Sequence, residues 1–345
     1  MNNQKRIVLL GATGRVGAYV ALYLKEKGYD VLAVGRRKSD NGFFTDYDIP
    51  YLSMDIMDRA SYNVLPQKDV YGVVHFAADL PANGNNDERQ YVAANIYGTM
   101  NVLDYCVKVG AEKVIYPRTV ADVYYLYGPD TMEHPIDPDS PSHFPLNTDH
   151  SIYCITKNAA CDIIKHYGAK YGLKYYILRF SNIFVYHPNP TYWKNGVKMY
   201  QGSRGMIERA KRGMEIELWG NPECARDVIY VKDLVKIVEG ALSHDAASGV
   251  YNVGTGKTVT MLEQIQGIID VFSPKDHPST IRINRDKPDS PFFLLDIEKT
   301  KREFGYEPTW DYISYLKDLK KAMELNRFEK LWGKEEDYLE GTKPY

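Results

Sequence analysis

The sequence predicts an α/β fold with a doubly wound parallel sheet, followed by a smaller α/β domain. Three observations predict it. Apolar runs without polar alternation recur through the first half of the chain, which is typical of strands buried on both faces. Helical segments separate these runs, and a glycine-rich turn joins the first run to the first helix. A chain of 345 residues is long enough for about two domains.

The first element pair and the strand after it form one βαβ unit. Residues 7–10 and 31–34 are short apolar runs, and residues 18–27 between them have the composition of a helix. Gly28 then ends that helix, because glycine is the usual residue just past a helix C-terminus. The unit predicts two parallel strands joined by a crossover helix.

Two more strands and a long helix follow in the same alternation. Residues 70–78 and 113–116 are apolar runs, and residues 87–109 between them are predicted to be helical. The helix prediction rests on apolar residues spaced three and four apart: Val92, Ile96, Met100, Leu103 and Val107.

A second long helix is predicted over residues 151–171, and a strand over 175–180. Beyond that strand the elements become short and proline and glycine recur irregularly. We therefore expect a dinucleotide-binding domain over residues 1–181, with a returning segment near 226–253. Residues 182–345 are expected to form most of a substrate-binding domain.

Composition excludes several classes of protein. The 43 basic and 45 acidic side chains give a net charge of -2, which argues against a general nucleic-acid binder. No stretch approaches the ~18 consecutive apolar residues of a membrane-spanning helix, and the start lacks the apolar core of a secretory signal. We therefore expect a cytoplasmic protein without a membrane role. The four cysteines show no metal-ligand spacing, so buried thiols and no metal site are expected.

The glycine-rich turn predicts a dinucleotide-binding site. It lies between a strand and a helix, where small residues let the backbone approach a pyrophosphate at the helix N-terminus. Its sequence is Gly11-Ala12-Thr13-Gly14-Arg15-Val16-Gly17.

The residues after the second strand bear on the choice of cofactor. An acidic residue at this point would bind the 2′-hydroxyl of NAD, but the sequence is Gly35-Arg36-Arg37-Lys38. Because guanidinium pairs with phosphate through two hydrogen bonds, Arg36, helped by Arg37, favours the 2′-phosphate of NADP. A solvated basic loop is the alternative, and NAD stays open.

A tyrosine and a lysine in the second long helix form a candidate catalytic pair. Tyr153 and Lys157 are four residues apart and therefore share one helix face. There the ammonium can stabilise a phenolate and lower a tyrosine pKa that is normally ~10.

Further motifs follow one another along the chain. They are Met54-Asp55-Ile56, His75-Phe76-Ala77-Ala78, Asn95 with Gly98-Thr99, Arg179-Phe180-Ser181-Asn182 and the segment 226–233. With the glycine turn and the Tyr153/Lys157 pair, they make the chain resemble the extended short-chain dehydrogenases/reductases of the nucleotide-sugar epimerase and dehydratase group, which have a Rossmann-type domain. The resemblance implies cofactor contacts by Asp55, Ile56, Phe76, Ala77, Ala78 and Asn95. It implies substrate contacts by Asn182, Arg226 and, on a looser match, Arg285.

The resemblance also implies a reaction on a nucleotide-diphosphate sugar. The phenolate of Tyr153 accepts the proton of a sugar hydroxyl while hydride passes to the nicotinamide ring, and Lys157 holds that phenolate. A transient 4-keto sugar results, and return of the hydride to the opposite face gives the expected epimerisation. The alternatives are a 4,6-dehydratase, a 4-ketoreductase, or a catalytically weak dinucleotide- or sugar-binding regulator.

The chain departs from the family pattern beside the catalytic pair. The hydroxyl residue that contacts the reacting alcohol falls on Val120, so Thr119 is expected to replace it. Asp122 stands where the 4,6-dehydratases carry a glutamate that removes a proton. In resembling enzymes the helices predicted here over 87–109 and 151–171 form a dimeric four-helix bundle, which implies a homodimer.

Overall fold

The computed structural model describes residues 4–81, 87–148, 150–194 and 196–341. The strands are β1 (Arg6–Leu10), β2 (Asp30–Gly35), β3 (Tyr51–Ser53), β4 (Gly72–His75), β5 (Lys113–Thr119), β6 (Lys174–Phe180), β7 (Asn182–Phe184), β8 (Thr191–Lys194), β9 (Val197–Tyr200), β10 (Ile216–Trp219), β11 (Ala225–Tyr230), β12 (Gly249–Val253), β13 (Thr258–Thr260) and β14 (Ile281–Asn284). The helices are α1 (Arg15–Glu26), α2 (Glu88–Tyr91), α3 (Gly98–Val109), α4 (Ser151–Tyr171), α5 (Gly202–Lys211), α6 (Val231–Ser243), α7 (Met261–Phe272), α8 (Glu298–Phe304), α9 (Tyr312–Leu325) and α10 (Glu329–Trp332).

A seven-stranded parallel sheet forms the centre of the fold. Its strand order is β12-β6-β5-β4-β1-β2-β3, and every neighbouring pair in it is parallel. Successive residues of β1 enter different apolar clusters: Ile7 and Leu9 pack in one, and Val8 and Leu10 in the other. Because successive side chains of a strand point to opposite faces, both faces of the sheet are buried. The predicted doubly wound fold is confirmed.

The predicted long helix over residues 87–109 is interrupted. A π-helical turn, Val92–Tyr97, separates α2 from α3. A π turn holds more residues than an α turn, so it changes which residues of α3 face the core. Met100 and Val107, expected on the apolar face, are each 37% exposed, whereas Val102 and Cys106 are fully buried. The predicted helical segment is therefore confirmed from Glu88 to Val109, whereas the apolar face expected for it is wrong at Met100 and Val107.

The second part of the chain is built from smaller sheets. β10 pairs with β14, β8 forms a hairpin with β9, and β11 lies between β13 and β7. Among the described strands after β6, β12 alone returns to the seven-stranded sheet, where it pairs with β6. β7 begins two residues after β6 ends, and it pairs with β11. These strands therefore lie at the carboxyl edge of the large sheet, where ligands bind in open α/β sheets.

The helices that the structure describes include none long and apolar enough to cross a membrane. All four cysteines are buried and unpaired, in agreement with the predicted buried thiols.

Candidate active site

The glycine-rich turn brings the backbone of β1, β4 and α1 close together. Gly11 has φ of +87°, and a Cβ there would lie 2.6 Å from the backbone nitrogen of Ala77. A Cβ on Gly17 would lie 2.2 Å from the carbonyl oxygen of Gly11. Both contacts are shorter than any side chain tolerates, so glycine is required at these two positions. The turn leaves the N-terminus of α1 open to a ligand, and Gly14 at the helix cap is exposed.

A cleft of about 940 Å³ opens over this turn and extends between the two parts of the chain. Such a volume is typical of a cofactor or substrate site. Nearly all the cofactor residues predicted from the sequence line it: Gly11, Thr13, Gly14, Arg15, Val16, Gly17, Arg36, Arg37, Asp55, Ile56, Phe76, Ala77, Ala78, Tyr153 and Lys157.

Asn95 is the predicted cofactor residue that does not line the cleft. It is buried within the π-helical turn, and its Oδ1 accepts a hydrogen bond from the backbone nitrogen of Asp79 at 2.8 Å. Its Nδ2 lies 3.2 Å from Oγ1 of Thr156 on α4. Asn95 thus ties the segment after β4 to the helix that carries Tyr153 and Lys157.

Tyr153 and Lys157 occupy adjacent turns of α4 and both line the cleft. Burial raises the pKa of Tyr153 above its usual value. Lys157 is fully buried, and burial lowers its pKa to about 7. Its Nζ lies 3.6 Å from the ring centroid of Tyr116 and has no hydrogen-bond partner among the described residues. The ammonium therefore rests on an aromatic face, where a new anion or hydroxyl in the cleft would gain a partner.

Thr119 and Asp122 lie beside the cleft rather than on its wall. Oγ1 of Thr119 accepts a hydrogen bond from the backbone nitrogen of Ala121 and so caps a short 3₁₀ turn. Asp122 is fully buried and forms ion pairs with Arg118 and, at 3.2 Å, with Arg179. This pairing gives Asp122 a structural contact with Arg118, near the end of β5, and with Arg179 of β6, which the sequence did not reveal.

The predicted substrate residues lie in separate places. Asn182 begins β7, directly after the strand that ends beside the cleft. Arg226 on β11 is largely buried, and its Nη2 lies 3.3 Å from Oε1 of Gln264. Burial lowers its pKa. Arg285 is exposed in the turn after β14. None of the three lines the cleft as described.

The glycine-lysine segment after β12 already binds an anion of the chain itself. The backbone nitrogens of Thr255 and Gly256 donate to the two carboxylate oxygens of Asp227, at 2.8 and 3.1 Å. Because the carboxylate of Asp227 occupies these donors, the sequence Gly254-Thr255-Gly256-Lys257 does not act as a nucleotide-phosphate loop, although glycine and lysine follow a strand there.

The C-terminal segment contributes to this site in a way that the sequence did not predict. Nε1 of Trp332 donates to the carbonyl oxygen of Thr13 at 2.9 Å, and Arg37 donates to the carbonyl oxygen of Leu331. Glu335 pairs with Arg204 of α5 at 2.6 Å. These contacts are long-range in sequence, and only the aromatic content of residues 328–338 hinted that the segment packs against the rest of the chain.

The residues of the cleft fit a dinucleotide. It combines a glycine cradle at a helix N-terminus, basic side chains at the end of β2 and a buried lysine without a hydrogen-bond partner among the described residues. This combination is the one that a phosphate-containing redox cofactor requires.

Similar proteins were found by sequence and by structure. The chain is 26% identical over 332 residues to a putative UDP-glucose 4-epimerase of Methanocaldococcus jannaschii, with 93% of this chain and 99% of that protein covered. Its structure is similar to UDP-glucose 4-epimerase of Thermotoga maritima, solved with UDP-glucose, at a TM-score of 0.75 and 23% identity over 93% of this chain and 99% of that one. UDP-glucuronic acid 4-epimerase of Bacillus cereus, solved with NAD, has a TM-score of 0.69 and 18% identity over the same shares.

The structural likenesses show a shared fold. The sequence profile of the NAD dependent epimerase/dehydratase family matches residues 7–254, which is well over half of the chain and spans the glycine turn, α4 and the strands that follow. The chain therefore belongs to the NAD-dependent epimerase/dehydratase family of enzymes.

Proposed function

We propose that this protein is an NAD-dependent 4-epimerase of UDP-sugars. The observation that carries the proposal is the placement of Tyr153 and Lys157 on the wall of the cleft that begins at the glycine turn. Family membership and the similarity to UDP-sugar 4-epimerases over nearly the whole chain support it.

In the proposed mechanism, the chain moves one proton and holds the sugar. Bound NAD supplies a nicotinamide ring that accepts a hydride and returns it. Tyr153 accepts the proton of the C4 hydroxyl at its phenolate oxygen. It gives the proton back after the keto sugar has rotated so that the hydride returns to the opposite face of C4. Because burial raises the pKa of Tyr153, positive charge brought by the cofactor and by Lys157 is needed to form the phenolate near neutral pH.

NAD is proposed in place of the NADP favoured by the basic sequence after β2. Arg37 donates to the carbonyl oxygen of Leu331, so part of its guanidinium is already occupied. The similar Bacillus cereus enzyme was solved with NAD. Comparison of NADH and NADPH affinities tests this choice.

The division of labour between the two parts of the chain is part of the same proposal. Residues 1–181, with the returning strand β12, hold the cofactor, and residues 182–345 hold most of the sugar nucleotide. Asn182 and Arg226 are proposed to contact the sugar nucleotide, and Arg285 to approach the nucleotide from the exposed turn. Binding of UDP to Arg226→Gln protein, compared with the unchanged chain, tests the most buried of these contacts.

The test is a panel of UDP-sugars incubated with the purified protein and NAD in at least equimolar amount to the sugar, followed by proton NMR of the sugar and the absorbance of NADH. The proposal predicts interconversion of a C4 epimer pair, such as UDP-glucose with UDP-galactose, without net NADH formation. Tyr153→Phe protein, which keeps the ring but lacks the hydroxyl, is the matched control and should be inactive. NADH formed in proportion to sugar consumed, or a 4-keto-6-deoxy product, would contradict the proposal.

A further inference from the structure

A cluster of cationic side chains lies beside the glycine turn, outside the catalytic pair. Arg204 of α5 and Arg15 of α1 both line the cleft, although they belong to different parts of the chain. Their charges are close enough that Arg204 lowers the pKa of Arg15, to about 10, after the larger effect of burial. The same two guanidinium groups and that of Arg37 disfavour the charged form of His187, whose pKa burial already lowers.

Arg204 is almost completely removed from solvent but only partly paired. Its residue exposure is 6%, and Nη2 lies 2.6 Å from a carboxylate oxygen of Glu335. Nε and Nη1 are buried without a hydrogen-bond partner among the described residues. Buried guanidinium donors without partners are costly, so a chain rarely keeps them unless something else binds there.

The positive charge of Arg15 is also poorly compensated. Its Nη2 lies 3.4 and 3.5 Å from the carbonyl oxygens of Asn189 and Thr191, distances that are long for hydrogen bonds. Glu335 pairs with Arg204, and no carboxylate pairs with Arg15 among the described residues, so the two guanidinium groups together retain net positive charge in a partly desolvated site.

The position of the cluster selects the anion. Arg15 is the first residue of α1, so its backbone forms part of the helix N-terminus that opens toward the cleft. Glu335 belongs to the C-terminal segment whose Trp332 donates to the carbonyl oxygen of Thr13 in the glycine turn. The unpaired donors of Arg204 are thereby tied to the cofactor end of the cleft.

We propose that Arg204 is a phosphate ligand of the dinucleotide, which clamps the cofactor pyrophosphate against the glycine turn from the opposite side of the cleft, together with Arg15. This inference rests on the proposed function only in taking a dinucleotide as the cofactor. Guanidinium suits the role because its planar fork binds two phosphate oxygens at once. Glu335 is a positioning residue that orients the fork.

The test compares Arg204→Gln with Arg209→Gln, a matched change on the same helix at a partly exposed arginine whose Nε donates to the carbonyl oxygen of Glu215. Dissociation constants of NADH, NADPH and UDP are measured by fluorescence titration. Loss of a charged hydrogen bond to phosphate predicts NADH and NADPH binding about tenfold to hundredfold weaker in Arg204→Gln protein. UDP binding and the Arg209→Gln protein should change less than about twofold.

Three results would overturn the proposal: unchanged NADH affinity, an equal loss for UDP, or a loss confined to NADPH, which would assign Arg204 to a 2′-phosphate. Thermal melting without cofactor checks that each variant folds. If Arg204→Gln protein does not fold, Arg204→Lys keeps the charge without the fork and should still weaken NADH binding several-fold. These measurements of binding do not depend on activity. If Arg204→Gln weakens NADH binding but the unchanged chain epimerises no sugar, only the proposed function is refuted.

Discussion

At the scale of single residues, the electrostatic state of Lys157 distinguishes the cofactor-free site from a working one. Burial lowers its pKa to about 7, because the charged ammonium loses its hydration and gains only the ring of Tyr116. In the unfolded chain the pKa is ~10.4. The folded state therefore binds this proton more weakly than the unfolded state does, and stability from this group is lost as pH falls from the unfolded value toward 7.

We predict that Lys157→Met raises the free energy of unfolding of the cofactor-free protein, and by more at pH 7.5 than at pH 9. The difference between the two pH values should be about 2 kcal/mol. Urea unfolding at both pH values measures it, and this window lies above the range in which His75 titrates. Lys170→Met, an exposed lysine on the same helix, is the control. A pH-independent effect at Lys157 would contradict the burial argument.

Asp122 is a second residue whose role the structure redefines. It is fully buried between Arg118 and Arg179, so removing its charge leaves two guanidinium groups without a counter-ion. Asp122→Asn should lower the free energy of unfolding by about 3 kcal/mol, measured by denaturant unfolding. Asp162→Asn, which removes an exposed partner of Lys165, should change it by less than about 0.5 kcal/mol. A fully stable Asp122→Asn protein without activity would instead favour a catalytic base, as in a dehydratase.

Local chemistry made most of the cofactor site predictable from sequence. The glycine turn, the arginines after β2 and the spacing of Tyr153 and Lys157 are short-range patterns with a physical reason at each position. The ion pair of Arg204 with Glu335 and the contact of Trp332 with the turn were not predictable, because each joins residues more than a hundred positions apart and no local pattern encodes such a distance. The pair of Asp122 with Arg179 also joins separate elements, and its pair with Arg118 depends on how the chain turns after β5.

At the scale of elements, the strand–turn–helix unit of β1 and α1 decides whether the cofactor site forms. Gly17→Ala would place a methyl group 2.2 Å from the carbonyl oxygen of Gly11, so strand and helix must separate. We predict a loss of about 2 kcal/mol of stability together with loss of NADH binding, from denaturant unfolding and fluorescence titration. At Gly14 the nearest atom would lie 3.2 Å away, and Gly14→Ala should cost less than about 1 kcal/mol. Equal stability of the two variants would contradict this packing.

Strands and the longest helix were predicted well, whereas the helix over 87–109 was predicted in its extent but not in the residues that face the core. Residues 151–171 form α4 as predicted. The helix ends at Gly172, whose backbone lies in the left-handed region that glycine favours. The π-helical turn before α3 depends on tertiary contacts such as those of Asn95 with Asp79 and Thr156, which sequence periodicity does not report. The apolar run over 70–78 forms a strand only at Gly72–His75, because the residues after His75 leave the sheet and line the cleft.

At the scale of the whole molecule, an apolar stripe suggests how two copies associate. Tyr97 is 63% exposed, and Met100 and Val107 follow it along α3, each 37% exposed. Large exposed apolar side chains at helical spacing are typical of an interface. We propose a homodimer through this face and α4.

The proposed dimer predicts a mass of twice the 39.5 kDa of the chain in light scattering after gel filtration. Replacing both Tyr97 and Met100 with glutamate should give monomers, because four buried charges would face one another across a twofold interface. Trp219→Glu, at an exposed aromatic residue on β10, should leave the dimer intact. A monomeric unchanged chain would refute the proposal.

The central claim is that one hydride leaves C4 of the sugar and returns to the same carbon within a single cleft. UDP-glucose carrying deuterium at C4 tests it most directly, with product analysed by NMR and mass spectrometry. We predict UDP-galactose that keeps the deuterium at C4 in full, with none exchanged into water. Product that has lost the label to solvent, or label recovered in free NADH, would contradict the account.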